Sequence, residues 1–331
     1  MLKKFILFCF VVALAGAAVI GYWAQQPLLD AGQPTMPFSI KPGSGVRSTA
    51  QQIEAQHIPV NAILLEVLAR VSGKSARLKA GNYELKVGTT PWLLLRQLSR
   101  GEFAQESLVI IEGWTFAQMR RAIALHPALK HDTVNLTDAE LLAKITTDFK
   151  LPEGLFFPDT YRFGKGISEL QIYRQAYQSM MRQLNLAWSK RDLSLPYKTP
   201  YEALTMASII EKETGQKAER NMIAGVFINR LKSGMLLQSD PTVIYGMGDS
   251  YQGTIHKRDL LTDTPFNTYT RAGLPPTPIA LPGKAALRAA LNPENTDALY
   301  FVARGDGSSI FSSNLDEHNR AVNKYQRSAR P

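Results

Sequence analysis

The chain has 331 residues, 45% of them hydrophobic and 20% charged. That composition excludes a disordered or fibrous polymer and leaves room for two modest domains. The formal net charge is +10, from 38 Lys and Arg against 28 Asp and Glu. The positive residues are dispersed, with no arginine-rich tract, zinc-finger spacing or aromatic-basic motif, so nucleic acid is not the expected partner. An acidic polymer or an anionic membrane surface fits the charge better.

After a four-residue basic tail, the run Phe5–Ala24, FILFCFVVALAGAAVIGYWA, carries no charge. As a helix it spans about 30 Å, the hydrocarbon thickness of a bilayer. Lys3 and Lys4 precede it, and Tyr22 and Trp23 stand where an interfacial aromatic belt would be. The small-residue steps Ala13-Leu14-Ala15 and Ala15-Gly16-Ala17 fit a signal-peptide cleavage site, but the apolar run continues past them, which favours an uncleaved anchor. Either reading puts the remainder of the chain outside the cytoplasm. The single cysteine, Cys9, lies inside the run, so the exported part has no disulfide and no thiol nucleophile.

Residues 25–37, QQPLLDAGQPTMP, read as a tether. Three segments then run from a strand-like stretch through Gly to a hydroxyl and into a helical pattern: Phe38–Gly45, Tyr83–Thr90 and Val109–Thr115. Such turns place a Ser or Thr to cap the next helix. Leu151–Phe163 is aromatic-rich and non-helical, broken by Pro158. Helical periodicity covers Leu170–Trp188, Tyr201–Thr214 and Glu219–Lys232, the last stopped by Gly234. Leu236–Gly248 and Asp263–Gly283 read as loops, and the second holds five of the 19 prolines. A stiff polar loop of that kind commonly carries binding groups. The chain closes with a helix-like KAALRAAL, strand-like ALYFVA and SIFSS around a glycine turn, and a helical stretch from Glu317.

The segment ASIIEKE, Ala207–Glu213, carries two glutamates one residue apart. With about 100° per residue and Met206 at zero, Ile209 falls near 300°, Glu213 near 340° and Ile210 near 40°. Glu213 therefore sits inside the apolar stripe, whereas Glu211 falls near 140°, and Thr205, Ser208, Lys212 and Glu219 form the wet face. Burial raises a carboxyl pKa towards 6 or 7, where it can deliver a proton near neutrality. An i,i+4 pairing of Glu213 with Lys217 is the plainer alternative. Glu211 reads as a structural hydrogen-bond acceptor.

Other chemistries lack their motifs. There is no HExxH, the five histidines are isolated, and neither GxSxG, SxxK, a phosphate loop nor GxGxxG occurs, so no metal and no cofactor is expected. Carboxylate chemistry with polar loop residues remains.

The runs ASIIEKE, FINRLKSGMLLQSDPTVIYGMG, TPFNTYTRAGLPPTPIALPG, LYFVA and EHN, with EGLFFPDTYRF upstream, strongly resemble the endolytic murein transglycosylases (the MltG or YceG-like family). The resemblance covers nearly the whole chain, and IKPGSGVRSTAQQIE and LKAGNYELKVG are similar to a LysM-like subdomain. It implies an α+β protein: a cytoplasmic tail (1–4), a transmembrane helix (5–24), a linker (25–37), a small LysM-like α/β subdomain (38–108) and a larger α+β catalytic domain (109–331). The implied activity is that of a lytic transglycosylase of peptidoglycan, cutting nascent glycan strands between MurNAc and GlcNAc near the inner membrane and terminating their elongation. It would leave a 1,6-anhydroMurNAc end by the work of one glutamate, Glu213. Implied partners are glycan strands, the membrane and peptidoglycan synthases, with the N-terminus cytoplasmic and the catalytic domain periplasmic. A catalytically inactive LysM-like scaffold is the alternative.

Gln238, Asp240, Tyr245, Asn267 and Tyr269 are the candidates for the groove walls, because amide, carboxylate and phenol groups can bond acetamido and hydroxyl substituents. Asp240 could instead cap a helix starting near Pro241, Asn267 could fix a turn, and both tyrosines could be core residues with satisfied hydroxyls. Asp159 ranks below them. Family members often carry a histidine where this chain has Ser309, while His318 of EHN matches.

Overall fold

The computed structural model describes residues 2–213, 216 and 218–327. Lys217, the partner weighed for Glu213, lies outside the described residues, as does Thr214 at the end of one expected helix. The protein mixes helix and sheet, with helix far in excess (47% against 10% strand). It forms two compact units: one holds the residues up to Glu106 together with Arg162–Gly166, the other Ser107–Tyr161 and Ile167 onwards.

The first unit contains α1 (Leu2–Trp23), β1 (Met36–Ile40), α2 (Val46–Ala55), α3 (Ala62–Val71), β2 (Gly81–Leu85) and α4 (Pro91–Arg100). Lys3–Trp23 has a mean hydropathy of 2.5 and is long and apolar enough to cross a membrane. β1 and β2 pair antiparallel with Phe38 opposite Tyr83, and their rings stack at 5.5 Å. Around them Ile53, Leu85, Leu94, Leu95 and Leu98 are fully buried. The expected tether is shorter than residues 25–37. Leu29 is buried and packs on this core, and the Leu28 N–H donates to the Thr89 carbonyl at 2.8 Å. Two leucines between the prolines are apolar enough to be drawn in.

Two of the three expected hydroxyl caps form. Thr90 accepts from Leu93 N–H at the start of α4, and Thr115 makes a reciprocal capping box with Gln118 at α5 (Phe116–Ala124). At α2 the cap position falls on Gly45, with no side-chain bond.

The rest of the chain adds β3 (Gln105–Val109), β4 (Leu129–Lys130), α6 (Asp138–Ala143), β5 (Thr160–Gly164), β6 (Ile167–Ser168) and the helices α7 (Glu169–Trp188), α8 (Pro200–Glu213) and α9 (Arg220–Ser233). There follow α10 (Asp240–Met247), α11 (Lys257–Leu261), α12 (Lys284–Leu291), β7 (Tyr300–Ala303), β8 (Ser309–Ser312) and α13 (Leu315–Val322). Among the described residues the strands pair in twos, β3 with β5, β4 with β6 in parallel, and β7 with β8 as a hairpin. The stretch read as a loop over Leu236–Gly248 is largely helix α10, because Pro241 in the first turn pre-sets a helical φ. Asp263–Gly283 contains no helix or strand, as its prolines dictate.

α8 is the centre of the second unit, packed against α7, α10 and α12. Every residue from Ala203 to Ile210 is buried, including Thr205 and Ser208, which the wheel had placed on a wet face. The periodicity was misleading because both hydroxyls are satisfied inside the protein. Thr205 donates to the Tyr201 carbonyl at 3.0 Å, and Ser208 donates to the Thr205 carbonyl while accepting from Ile279 N–H at 2.9 Å.

α9 approaches the 294–296 segment so closely that a Cβ on Gly225 would lie 2.6 Å from the Glu294 carbonyl oxygen. Gly225→Ala is therefore expected to lose about 1–3 kcal/mol through overpacking, despite the better helix propensity of Ala. Thermal denaturation would read this as a midpoint several degrees lower.

Candidate active site

α8 ends at Glu213, whose carboxyl is half-buried. Its closest partner comes from the start of α10: the Ser239 hydroxyl donates to Glu213 Oε1 at 2.5 Å. Ser239 occupies the N-cap position of α10 but makes no capping bond. Its side chain is used on Glu213 instead. Backbone and side-chain bonds hold it in place: Ser239 N–H donates to Thr268 Oγ1 at 3.0 Å, and Thr242 Oγ1 donates to the Ser239 carbonyl at 2.7 Å. Gln238, just before it, has φ +50°, a left-handed conformation rare for a residue with a Cβ. Backbone strain of this kind concentrates at functional sites.

Burial pushes the Glu213 carboxyl up to about 7, and the negative charge of Asp240 adds to the rise. The Ser239 hydrogen bond and the Arg230 guanidinium pull the other way but do not cancel it. Arg230 is buried on α9, donating to the Leu299 and Leu237 carbonyls, each at 2.7 Å. It lies over the Tyr300 ring, which in turn stacks on His318 with centroids 5.0 Å apart. Burial and Arg230 both lower the His318 pKa, so this imidazole is neutral at pH 7.

The wall candidates separate. Gln238 and Asp240 are exposed beside Ser239, and the Tyr269 hydroxyl donates to Asp240 Oδ1 at 2.6 Å, which gathers these three near Glu213. Asp240 is the first residue of α10, with Ser239 at the cap, so its carboxylate is free to hold Tyr269. Asn267 must be corrected: it is fully buried. Its amide donates to the Thr262 and Leu260 carbonyls and its Oδ1 accepts from Tyr269 N–H. It fixes the turn that presents Tyr269 and has no group left for a ligand. Tyr245 is turned to another carboxyl, donating to Glu153 Oε2 at 3.1 Å with its ring against Phe266. Asp159 caps its own turn through Thr160 N–H. Glu211 is the structural acceptor expected: it takes Gly283 N–H at 2.8 Å and faces Arg220 at 3.4 Å. Ser309 presents its N–H to Glu219 at 2.7 Å.

Sequence reasoning missed Ser239, Arg230 and Glu153. Arg230 could have been found by the test that found Glu213, since on the α9 wheel it falls beside Ile223 and Phe227, a charge in an apolar stripe. Ser239 carried the signature of an ordinary cap. Glu153 has no periodic signal at all. It is buried, accepts from Phe116 N–H at 2.9 Å, and burial pushes it up to about 7. Among the described residues no group of three or more His, Cys, Asp or Glu side chains could hold a metal ion.

A carboxyl raised to about 7, so that both its protonated and charged forms are present near neutrality, with one oxygen fixed by a serine and exposed polar side chains beside it, is the equipment of a general acid and base. The model of the YceG-like family matches residues 38–324, and the chain belongs to that family. It is 32% identical to a Bacillus subtilis protein named endolytic murein transglycosylase, over 94% of this chain and 91% of the relative. A Streptococcus pneumoniae protein of the same name is 28% identical over 98% of this chain, which spans 65% of that relative's length. The crystal structure of a YceG-like protein from Listeria monocytogenes superposes with a TM-score of 0.56 at 32% identity, covering 87% of this chain and 99% of the other.

Burial also raises the Glu211 carboxyl, and raised carboxyls give a pH dependence with a definite sign. Glu153 is protonated in both folded and unfolded chains below about pH 4.5. Between there and about 7 the folded state holds the proton that the unfolded state has lost, so stability falls as pH rises. Glu153→Gln should therefore gain thermal midpoint relative to the wild type as pH is raised from 5 to 8, measured by calorimetry across that range.

Proposed function

We propose that this protein is a lytic transglycosylase of peptidoglycan, cutting glycan strands internally with Glu213 as its sole acid and base. The observation that carries the reading is the Glu213–Ser239 pair. With Oε1 occupied by the serine hydroxyl and the group raised to about 7, the proton resides on Oε2, the oxygen left free for a substrate. Protonated Glu213 delivers that proton to the glycosidic oxygen between N-acetylmuramic acid and N-acetylglucosamine as the C1–O bond breaks. The resulting carboxylate, stabilised by Ser239 and the field of Arg230, then takes the proton of the muramyl C6 hydroxyl while O6 bonds to C1. The acid is regenerated and a 1,6-anhydro ring is formed. A hydrolase would need a second carboxyl to activate water; here the nucleophile belongs to the sugar.

Gln238, Asp240 and Tyr269 line the sugar-binding wall in this reading, and Arg230, Tyr300 and His318 form the support behind it. The β–α–α–β order of β1, α2, α3 and β2 supports reading residues 38–108 as a LysM-like glycan-binding subdomain. The apolar α1 supports a single-pass anchor in the inner membrane, N-terminus cytoplasmic, which would keep residues 109–331 near nascent strands and let a cut end their elongation. Synthases working on the same strands are the fitting partners.

Glu213→Gln keeps the shape and the Ser239 contact but exchanges no proton, so release of anhydro-ended fragments, read by mass spectrometry, should fall at least 10³-fold, in the range of essential acid–base groups. Unchanged release would remove Glu213 as the acid and base, whereas a wild type that releases no anhydro ends would be a binding scaffold. In the wild type kcat/KM should decline as pH rises above about 7, where Glu213 loses its proton. Ser239→Ala removes a donor that favours the charged form and should move this alkaline limb upward by roughly one unit while lowering the plateau.

A further inference from the structure

A cleft of ≈ 840 Å³ opens in the second unit between the C-terminal half of α7, the first turn of α9 and the exposed side of α12. Three cations line it, Lys190, Lys284 and Arg288, together with the amides of Gln183, Asn221 and Asn292. No acidic side chain is among the lining residues. Among the described residues none of the three cations forms an ion pair. Lys284 and Arg288 are i,i+4 on α12, a like-charge spacing that weakens a helix slightly. Cations gathered in a concave wall focus their field and concentrate anions there.

The cleft is joined to the acid. Lys284 follows Gly283, whose N–H donates to Glu211 at 2.8 Å, and Glu211 is two residues before Glu213. Bond lengths and helix rise put the Lys284 end roughly 15 Å from the Glu213 carboxyl along that path.

We infer that this cleft binds the carboxylates of the short peptide borne by the muramyl residues of the glycan, so that the enzyme selects peptide-bearing strands over bare ones. The inference rests on the proposed glycan-cutting role of the neighbouring Glu213. A peptide suits the cleft better than a phosphate. Side-chain amides can pair with peptide N–H and C=O groups, and the exposed Leu186 offers apolar surface to the methyl groups of alanine residues. A phosphate site is more often built from converging backbone N–H groups.

The test is a triple variant of the full chain, Lys190→Gln with Lys284→Gln and Arg288→Gln, assayed on peptide-bearing glycan and on glycan stripped of its peptides. The wild type should show a KM about tenfold lower on the peptide-bearing strands, and the variant should bring that ratio close to one. A ratio near one in the wild type, or a tenfold ratio retained in the variant, overturns the inference. A second measurement is independent of turnover. In the Glu213→Gln background, the isolated peptide should bind by titration calorimetry, weaken severalfold between 0.05 and 0.5 M salt as screening demands, and be lost when the three cations are replaced. Inorganic phosphate competing more strongly than the peptide also overturns it. If the wild type releases no anhydro ends yet the peptide binds through the three cations, the Glu213 mechanism falls and the cleft remains.

Discussion

A helix enclosed on every side must find an internal partner for each polar group it carries, and α8 shows how that constraint organises the second unit. The proline-rich stretch running to Gly283 is held to α8 by its side chains, with Ile279 N–H on Ser208 and Gly283 N–H on Glu211. The same stretch exchanges bonds with the turn before α5, through Leu281 N–H to the Trp114 carbonyl and Gly113 N–H to the Leu281 carbonyl. A segment with no secondary structure of its own is thereby fixed, as the cost of burying unpaired backbone requires.

Glu213 is the exception that this scheme leaves. Upstream polar residues of α8 are consumed largely by backbone groups, whereas Glu213, at the last turn, accepts from the Ser239 hydroxyl. The serine donor offsets only part of the cost of burying a carboxylate, so the group rises to about 7. Arg230, which could have quenched this by direct pairing, is held instead through Nε and Nη1 on the Leu299 and Leu237 carbonyls. It acts on Glu213 only as a field. The strained Gln238 backbone is tolerated because Gln238 N–H and Ser239 are both pinned to Thr268.

Much of the architecture was legible in the chain. The long helices α7, α8 and α9 and the proline-rich loop follow from periodicity and breakers, and the glutamate of interest followed from one angle on a wheel. The failures have physical causes. Thr205 and Ser208 look solvent-facing because a wheel cannot anticipate a loop from 71 residues downstream covering them. Asn267 looks like a binding group because an amide that satisfies three backbone groups reads the same as one awaiting a sugar. Ser239 reads as a cap because its position is that of a cap; only its rotamer sends the hydroxyl elsewhere.

The sequence by itself determined the long helices α7, α8 and α9, the apolar N-terminal segment, the family and the glutamate that falls in the apolar stripe, since all of these rest on local pattern within a few turns of chain. The tertiary structure alone decided what surrounds that acid. The serine comes from 26 residues away, the guanidinium from another helix and the phenol from a loop. A carboxyl's proton affinity is set by such neighbours through burial and field, and neither acts along the chain.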